Sequence, residues 1–131
     1  MIEIRTHDTI DTALCGVPVE TGPGTAKVEM IASGVMAVDS TGLVHGGFLF
    51  SLADHAAMIA VNQPTVVLAG AEVKFLKPVV TGDRLIAEAR VTGETGRRRT
   101  VSVVVLQGEE PVFQGTFACA VLERHVLETQ K

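Results

Sequence analysis

The sequence predicts an α+β domain in which one long helix lies against a curved antiparallel sheet. Three observations carry this. Residues 45–61, "HGGFLFSLADHAAMIAV", form a run of helical length that is apolar nearly all round, so neighbours must cover it on most sides. Beyond it the chain alternates apolar and polar positions, broken by short turns rich in Gly, to its end. With 131 residues and 47% hydrophobic content the chain can bury one core, so residues 1–131 read as a single domain without repeat or linker.

The elements follow in order. "HDTIDTALC" (7–15) reads as a short helix capped by Asp8 or Thr9 and ended by Gly16 and Pro18. "ETGPGT" (20–25) is a turn between two strands. In the second of these Ala26, Val28 and Met30 alternate with Lys27 and Glu29, the pattern of a half-buried strand. Residues 34–42 form a loop. The long helix then stops at Asn62-Gln63-Pro64. "TVVLAGAEVKFLKP" (65–78) is a strand ended by Pro78, and "TGD" (81–83) is a turn. "RLIAEARVT" leads into a hairpin turn at "GETG" (93–96), "RRRTVSVVVLQ" returns, and "VFQGTFACAVLE" is the last strand after "GEEP" (108–111). A helix this apolar is enveloped by its sheet, which is the hotdog arrangement.

Composition narrows the function classes. Net charge is −4, Trp and Tyr are absent, and the only basic cluster is Arg97-Arg98-Arg99, so a nucleic-acid partner is not expected. Cys15 and Cys119 lie far apart and outside metal-ligand spacing, which assigns them to packing in a reducing cytoplasm. The charged N-terminus has no apolar core and does not read as a signal peptide. Asp54 and His55 at the centre of the apolar run argue for a core helix rather than a membrane span. A mean hydropathy of +0.35 points to apolar surface buried between subunits.

The chemistry concentrates in "LVHGGFLFSLADHAAMIAVN" (43–62). The first amides of a helix lack intrahelical acceptors and carry the positive end of its dipole. Gly46 and Gly47 therefore either open that backbone to a ligand oxygen or simply let the helix start pack tightly against a strand. His45 either donates to a substrate carbonyl or caps the helix entry. Asp54, about two turns inside, cannot cap the helix. A buried carboxylate without partners costs several kcal/mol, roughly, so it marks a functional group or a hydrogen bond to a loop. His55 reads as an interface or surface residue. Asp39, six residues before His45, positions a water or is an exposed turn residue. His7 and His125 receive no role.

The stretch "VHGGFLFSLADHAAMIAVN" resembles the signature of the PaaI-type hotdog thioesterases, the phenylacetyl-CoA thioesterase family. "VKFLKPVVTGDRLIAEARVTGETGRR" is similar to the family's next strand, Pro, Gly-Asp and hairpin, and the likeness spans roughly residues 14–122. The resemblance implies hydrolysis of acyl-CoA thioesters without metal or cofactor. Asp54 would be general base or nucleophile, the Gly46 amide would receive the thioester carbonyl, and His45 would support that hole. Asp39 stands where members commonly have asparagine holding the water, and "VVLAGAE" lacks the Ser or Thr of some relatives. Thiolate is a good leaving group, so one carboxylate and one oxyanion hole suffice without a triad. Gly47, Phe48, Leu49 and Phe75 would line the substrate pocket. Lys74, Lys77, Arg97, Arg98 and Arg99 would meet CoA phosphates, or else form solvated strand edges and a hairpin. The alternatives are a hotdog enoyl-acyl hydratase or dehydratase and a non-catalytic acyl-CoA sensor.

Helix geometry adds a constraint. Asp54 lies eight residues from Gly46, about 12 Å along the axis, and a short side chain cannot span that. Two antiparallel helices in a twofold dimer would bring Asp54 of one chain to Gly46 of the other. The expected assembly is a homodimer with shared sites, or a homotetramer of such dimers.

Overall fold

A computed structural model describes residues 1–128. Its elements are α1 (Thr12–Cys15), β1 (Val17–Gly22), β2 (Thr25–Ile31), α2 (Gly46–Val61), β3 (Val66–Phe75), β4 (Arg84–Thr95), β5 (Arg98–Gln107) and β6 (Glu110–Val121), with short 3-10 turns at Gly34–Met36 and Val126–Glu128. The six strands form one antiparallel sheet in the order β1-β2-β4-β5-β6-β3. This is the hotdog fold, with α2 as the filling. Among the described residues no helix is long and apolar enough to cross a membrane.

The alternation seen in the sequence builds the core. Rows of paired residues cross the concave face, and one of them runs Val28, Ala87, Val105, Phe113, Phe75 from β2 to β3. The first four are fully buried under the helix, whereas Phe75, on the edge strand, is 55% exposed. The helix contributes Leu52, Ala53, Ala56, Ala57, Met58, Ile59 and Ala60, all buried. Small residues there let the helix approach the sheet closely, with Leu52, Met58 and Ile59 filling the gaps.

Several local expectations need correction. The first helix spans only Thr12–Cys15 and is capped by Asp11, not Asp8 or Thr9, because Asp11 Oδ1 accepts from the amides of Ala13 (2.9 Å) and Leu14 (3.3 Å). His7, at φ 56°, instead opens a turn closed by the Ile10 amide on the His7 carbonyl. The strand after α2 ends at Phe75, since the amides of Leu76 and Lys77 both turn to the Val112 carbonyl. The hairpin turn sits later than "GETG": β4 continues past a bulge at Val91/Gly93 and pairs Glu94 with Arg99. The long helix stops as expected, with Asn62 as its left-handed cap at φ 53°. Asn62 also fastens the N-terminal strap, accepting from the Arg5 amide and donating to the Glu3 carbonyl, each at 2.7 Å.

Candidate active site

Gly46 opens α2 and His45 is its N-cap. The His45 ring accepts at Nδ1 from the Gly47 amide at 3.2 Å, which places its proton on Nε2 in the neutral form and leaves that N–H as a donor at an exposed position. The Gly46 amide has no acceptor within the helix. A Cβ on Gly46 would stand 2.9 Å from Cε1 of Phe75, so any larger residue there must shift that ring. Phe75 in turn meets buried Phe113 edge to face, with centroids 5.2 Å apart. Beside them lies a depression of about 350 Å³ lined by Val44, Gly46, Leu49, Phe75, Leu76, Lys77, Pro78 and Val79. Phe48 is half-buried and packs edge-on to His45, at a centroid distance of 6.2 Å.

Gly46, Phe50 and Asp54 recur every four residues and so share one stripe of α2. Along this stripe Phe75 of β3, backed by Phe113 of β6, stands at Gly46, and Phe117 of β6 stands 5.4 Å from the ring of Phe50. Cys119 lies within electrostatic reach of Asp54. Asp54 Oδ1 is buried without a hydrogen-bond partner, alone in this among the buried side-chain polar atoms of the described residues. Burial pushes its carboxyl from the ordinary 3.8 up to about 6. Burial, and then the Asp54 charge, hold the Cys119 thiol at about 11. Cys119 therefore stays a protonated thiol beside the carboxylate.

The remaining candidates disperse. Asp39 is an exposed turn residue: its Oδ1 accepts from the Thr41 amide at 2.9 Å and the Thr41 hydroxyl at 2.5 Å, and these bonds hold its carboxyl below the ordinary value. Lys77 borders the depression at the helix start and pairs with Glu110. Lys74 is exposed on β3. Arg97 pairs with Glu123 and Arg99 with Glu94, while Arg98 starts β5. Arg99 shares a cleft with Ala60, Val61 and Asn62, so this cluster stands at the opposite end of α2 from Gly46. His55 corrects its reading as an interface or surface residue. It is 2% exposed, its Nδ1 bonds the Cys15 carbonyl at 3.0 Å, and its ring stacks on His7 at 6.4 Å. Burial foremost lowers the pKa of both rings. Sequence reasoning missed Phe50, Phe113 and Cys119 as neighbours of the site. The alternation of "VFQGTFACAV" places Phe113, Phe117 and Cys119 on one face, but nothing local says which helix residues that face meets.

The model of the thioesterase superfamily matches residues 41–113, from the loop before the helix into the last strand. The chain belongs to the thioesterase superfamily. Among solved structures of this superfamily's hotdog fold, a protein of Pyrococcus horikoshii is 51% identical, with a TM-score of 0.95, covering 96% of this chain and 97% of that one. The PaaI protein from the phenylacetic acid degradation operon of Escherichia coli is 26% identical, with a TM-score of 0.81, covering 91% and 88%. These place the chain among the PaaI-type hotdog thioesterases. Among curated relatives, a methylthioribose-1-phosphate isomerase of Aquifex aeolicus is 51% identical over 88% of this chain, and the chain spans only 25% of that protein. A transcription factor FapR of Caldanaerobacter subterraneus is 33% identical over 67% of this chain, which spans 44% of it. The chain thus spans less than half the length of these curated relatives.

Proposed function

We propose that the protein hydrolyses an acyl-CoA thioester to the free acid and CoA. The observation that carries this is Asp54: a carboxylate whose Oδ1 is buried without a partner, on the same helix stripe as the free amide of Gly46. With a pKa of about 6 it is mostly ionised at neutral pH, yet basic enough to take a proton from water. Water adds to the thioester carbonyl carbon as its proton passes to Asp54. The oxyanion is held by the Gly46 amide, and the tetrahedral intermediate collapses by expelling the thiolate, which Asp54 reprotonates. Alternatively the carboxylate attacks first, giving an anhydride that water opens. The His45 Nε2–H stands at the same helix start to support the hole.

One chain cannot assemble this site, because Asp54 and Gly46 are about 12 Å apart along the axis. The β3 edge offers the solution. Its residues Ala69, Gly70, Ala71 and Glu72 are exposed, and among the described residues its outer hydrogen-bonding edge carries no further strand. A long, small-residue edge of this kind pairs with another chain. Pairing of two β3 strands would set the two α2 helices side by side and antiparallel, with Asp54 of each facing Gly46 of the other. The same arrangement brings the Arg97–Arg99 end of one helix toward the helix start of its partner, where Lys77 stands, and so gathers basic side chains for CoA phosphates. The two unpaired cysteines suit a reducing cytoplasm.

The test is release of free thiol from a panel of acyl-CoAs. Asp54→Asn, nearly isosteric, is expected to lose on the order of a hundredfold or more in rate while circular dichroism stays unchanged. In the unsubstituted protein kcat/KM should rise with pH and reach half its plateau near pH 6. Near-normal turnover by the Asn variant would remove Asp54 from the mechanism. The kinship with transcription factors supports one second reading, an acyl-CoA sensor that binds and does not hydrolyse. That reading is the one left if CoA esters bind and no thiol appears.

A further inference from the structure

We propose that Phe75 sets the acyl length, holding the site to short acyl groups. This rests on the reading of Gly46 as the place of the thioester carbonyl. The row Val28–Ala87–Val105–Phe113–Phe75 is a layer of the core, and each member but the last is covered by the helix. At Phe75 the helix has just begun, so the ring lies against the Cα of Gly46 with half its surface open. The ring is fixed on two sides. Fully buried Phe113 stands behind it edge-on, and the first turn of α2 stands beside it, closer than a Cβ at position 46 would allow without shifting the ring. It cannot retreat inward without displacing the core.

The acyl group of a thioester whose carbonyl meets the Gly46 amide must enter the adjoining depression. The floor of that depression is Val44, Leu49 and Val79, each at most 6% exposed, and Phe75 is the wall between it and the inner layer. The lining side chains are apolar apart from Lys77, so the group it accepts is a hydrocarbon. Backed by Phe113, the ring ends the space in the inward direction, where a longer chain would continue. Removing the ring leaves room bounded only by the edge of Phe113.

The experiment measures two things on the unsubstituted protein, Phe75→Leu and Phe75→Ala. The first is binding of non-hydrolysable straight-chain S-alkyl-CoA thioethers from two to twelve carbons, by calorimetry. The second is kcat/KM for the matching acyl-CoAs. The unsubstituted protein should favour the short end. Phe75→Ala should shift the long-to-short ratio by roughly tenfold or more, the scale on which a few methylenes in an apolar pocket discriminate, with Phe75→Leu between. An identical length profile in all three overturns the proposal. So does a uniform loss at every length accompanied by dissociation in size-exclusion chromatography, which would make Phe75 a subunit contact only. Absence of binding by any thioether likewise overturns it. Length-dependent binding that shifts in Phe75→Ala, without hydrolysis by any of the proteins, would uphold Phe75 while refuting the thioesterase reading.

Discussion

Asp54 destabilises the fold that carries it wherever it is ionised. Its folded pKa, about 6, lies above the ordinary 3.8, so between those values the native state holds more protons than the unfolded chain. Stability contributed by this group is full below about pH 4, falls as pH rises, and is gone above about pH 6. Asp54→Asn should therefore raise Tm at pH 8 by a few degrees, corresponding to on the order of 2 kcal/mol once partial exposure is allowed for, and the gain should vanish near pH 4. Differential scanning fluorimetry across pH checks this. An equal gain at every pH would show that packing and not charge is responsible. Asp39 behaves oppositely, since the turn it closes favours its ionised form. An asparagine carbonyl would accept the same two bonds from Thr41 but without the carboxylate's charge, so Asp39→Asn should lower Tm slightly at neutral pH while it keeps or raises thiol release. Complete inactivation would instead make Asp39 a required acid or base. Asp54 stood out in the sequence because a lone carboxylate interrupted an apolar run. Its neighbour Cys119 did not, because 65 residues separate them and only the sheet brings them together.

At the scale of the element, the start of α2 is built by two side chains from different parts of the chain. His45 saturates the Gly47 amide from within the motif, while Phe75 reaches over Gly46 from the end of β3. The motif was legible: glycine, the free amide and the cap all follow from residues adjacent in sequence. The reason for glycine at position 46 was not, since a strand ending almost thirty residues later supplies the ring. The same limit explains the shifted boundaries. Asp11 outcompetes Asp8 as cap through contacts that spacing alone does not rank, and β4 overruns "GETG" because its partner strand holds it. Gly46→Ala keeps the amide and adds only a methyl that must displace the ring by a few tenths of an ångström. Because half of Phe75 is open to solvent, the ring can give way and the cost in stability should stay at or below about 1 kcal/mol, the low end of overpacking, while the rate should fall by about tenfold or more. Gly46→Ala combined with Phe75→Ala should recover part of the rate on long acyl groups relative to the Gly46→Ala single variant. A double-mutant cycle with no coupling would show that the two residues do not act on each other.

The whole molecule looks unfinished on one side. β1 closes its edge with Pro18 and a bulge, whereas β3 runs ten residues to an open edge, and the stripe Gly46–Phe50–Asp54 beside it is only half-buried. The order of strands was not readable from sequence: β3 follows the helix but lies beyond β6, the last strand, and that crossover is what places it at the edge. A second chain is proposed from helix rise, which is readable in the sequence. The decisive experiment mixes an Asp54→Ala chain with a Gly46→Pro chain, each inactive alone. Gly46→Pro removes the amide and also collides with Phe75, so it spoils the helix-start half of a site. In a mixed dimer with shared sites, one site pairs the intact Asp54 of the second chain with the intact Gly46 of the first, and the other site carries both lesions. About half the dimers are mixed after random re-pairing, so roughly a quarter of the unsubstituted activity should return. If each chain instead served its own site, both sites of a mixed dimer would be spoiled. Mixed dimers demonstrated by mass spectrometry, with no return of thiol release, would then rule out the exchange of Asp54 between chains.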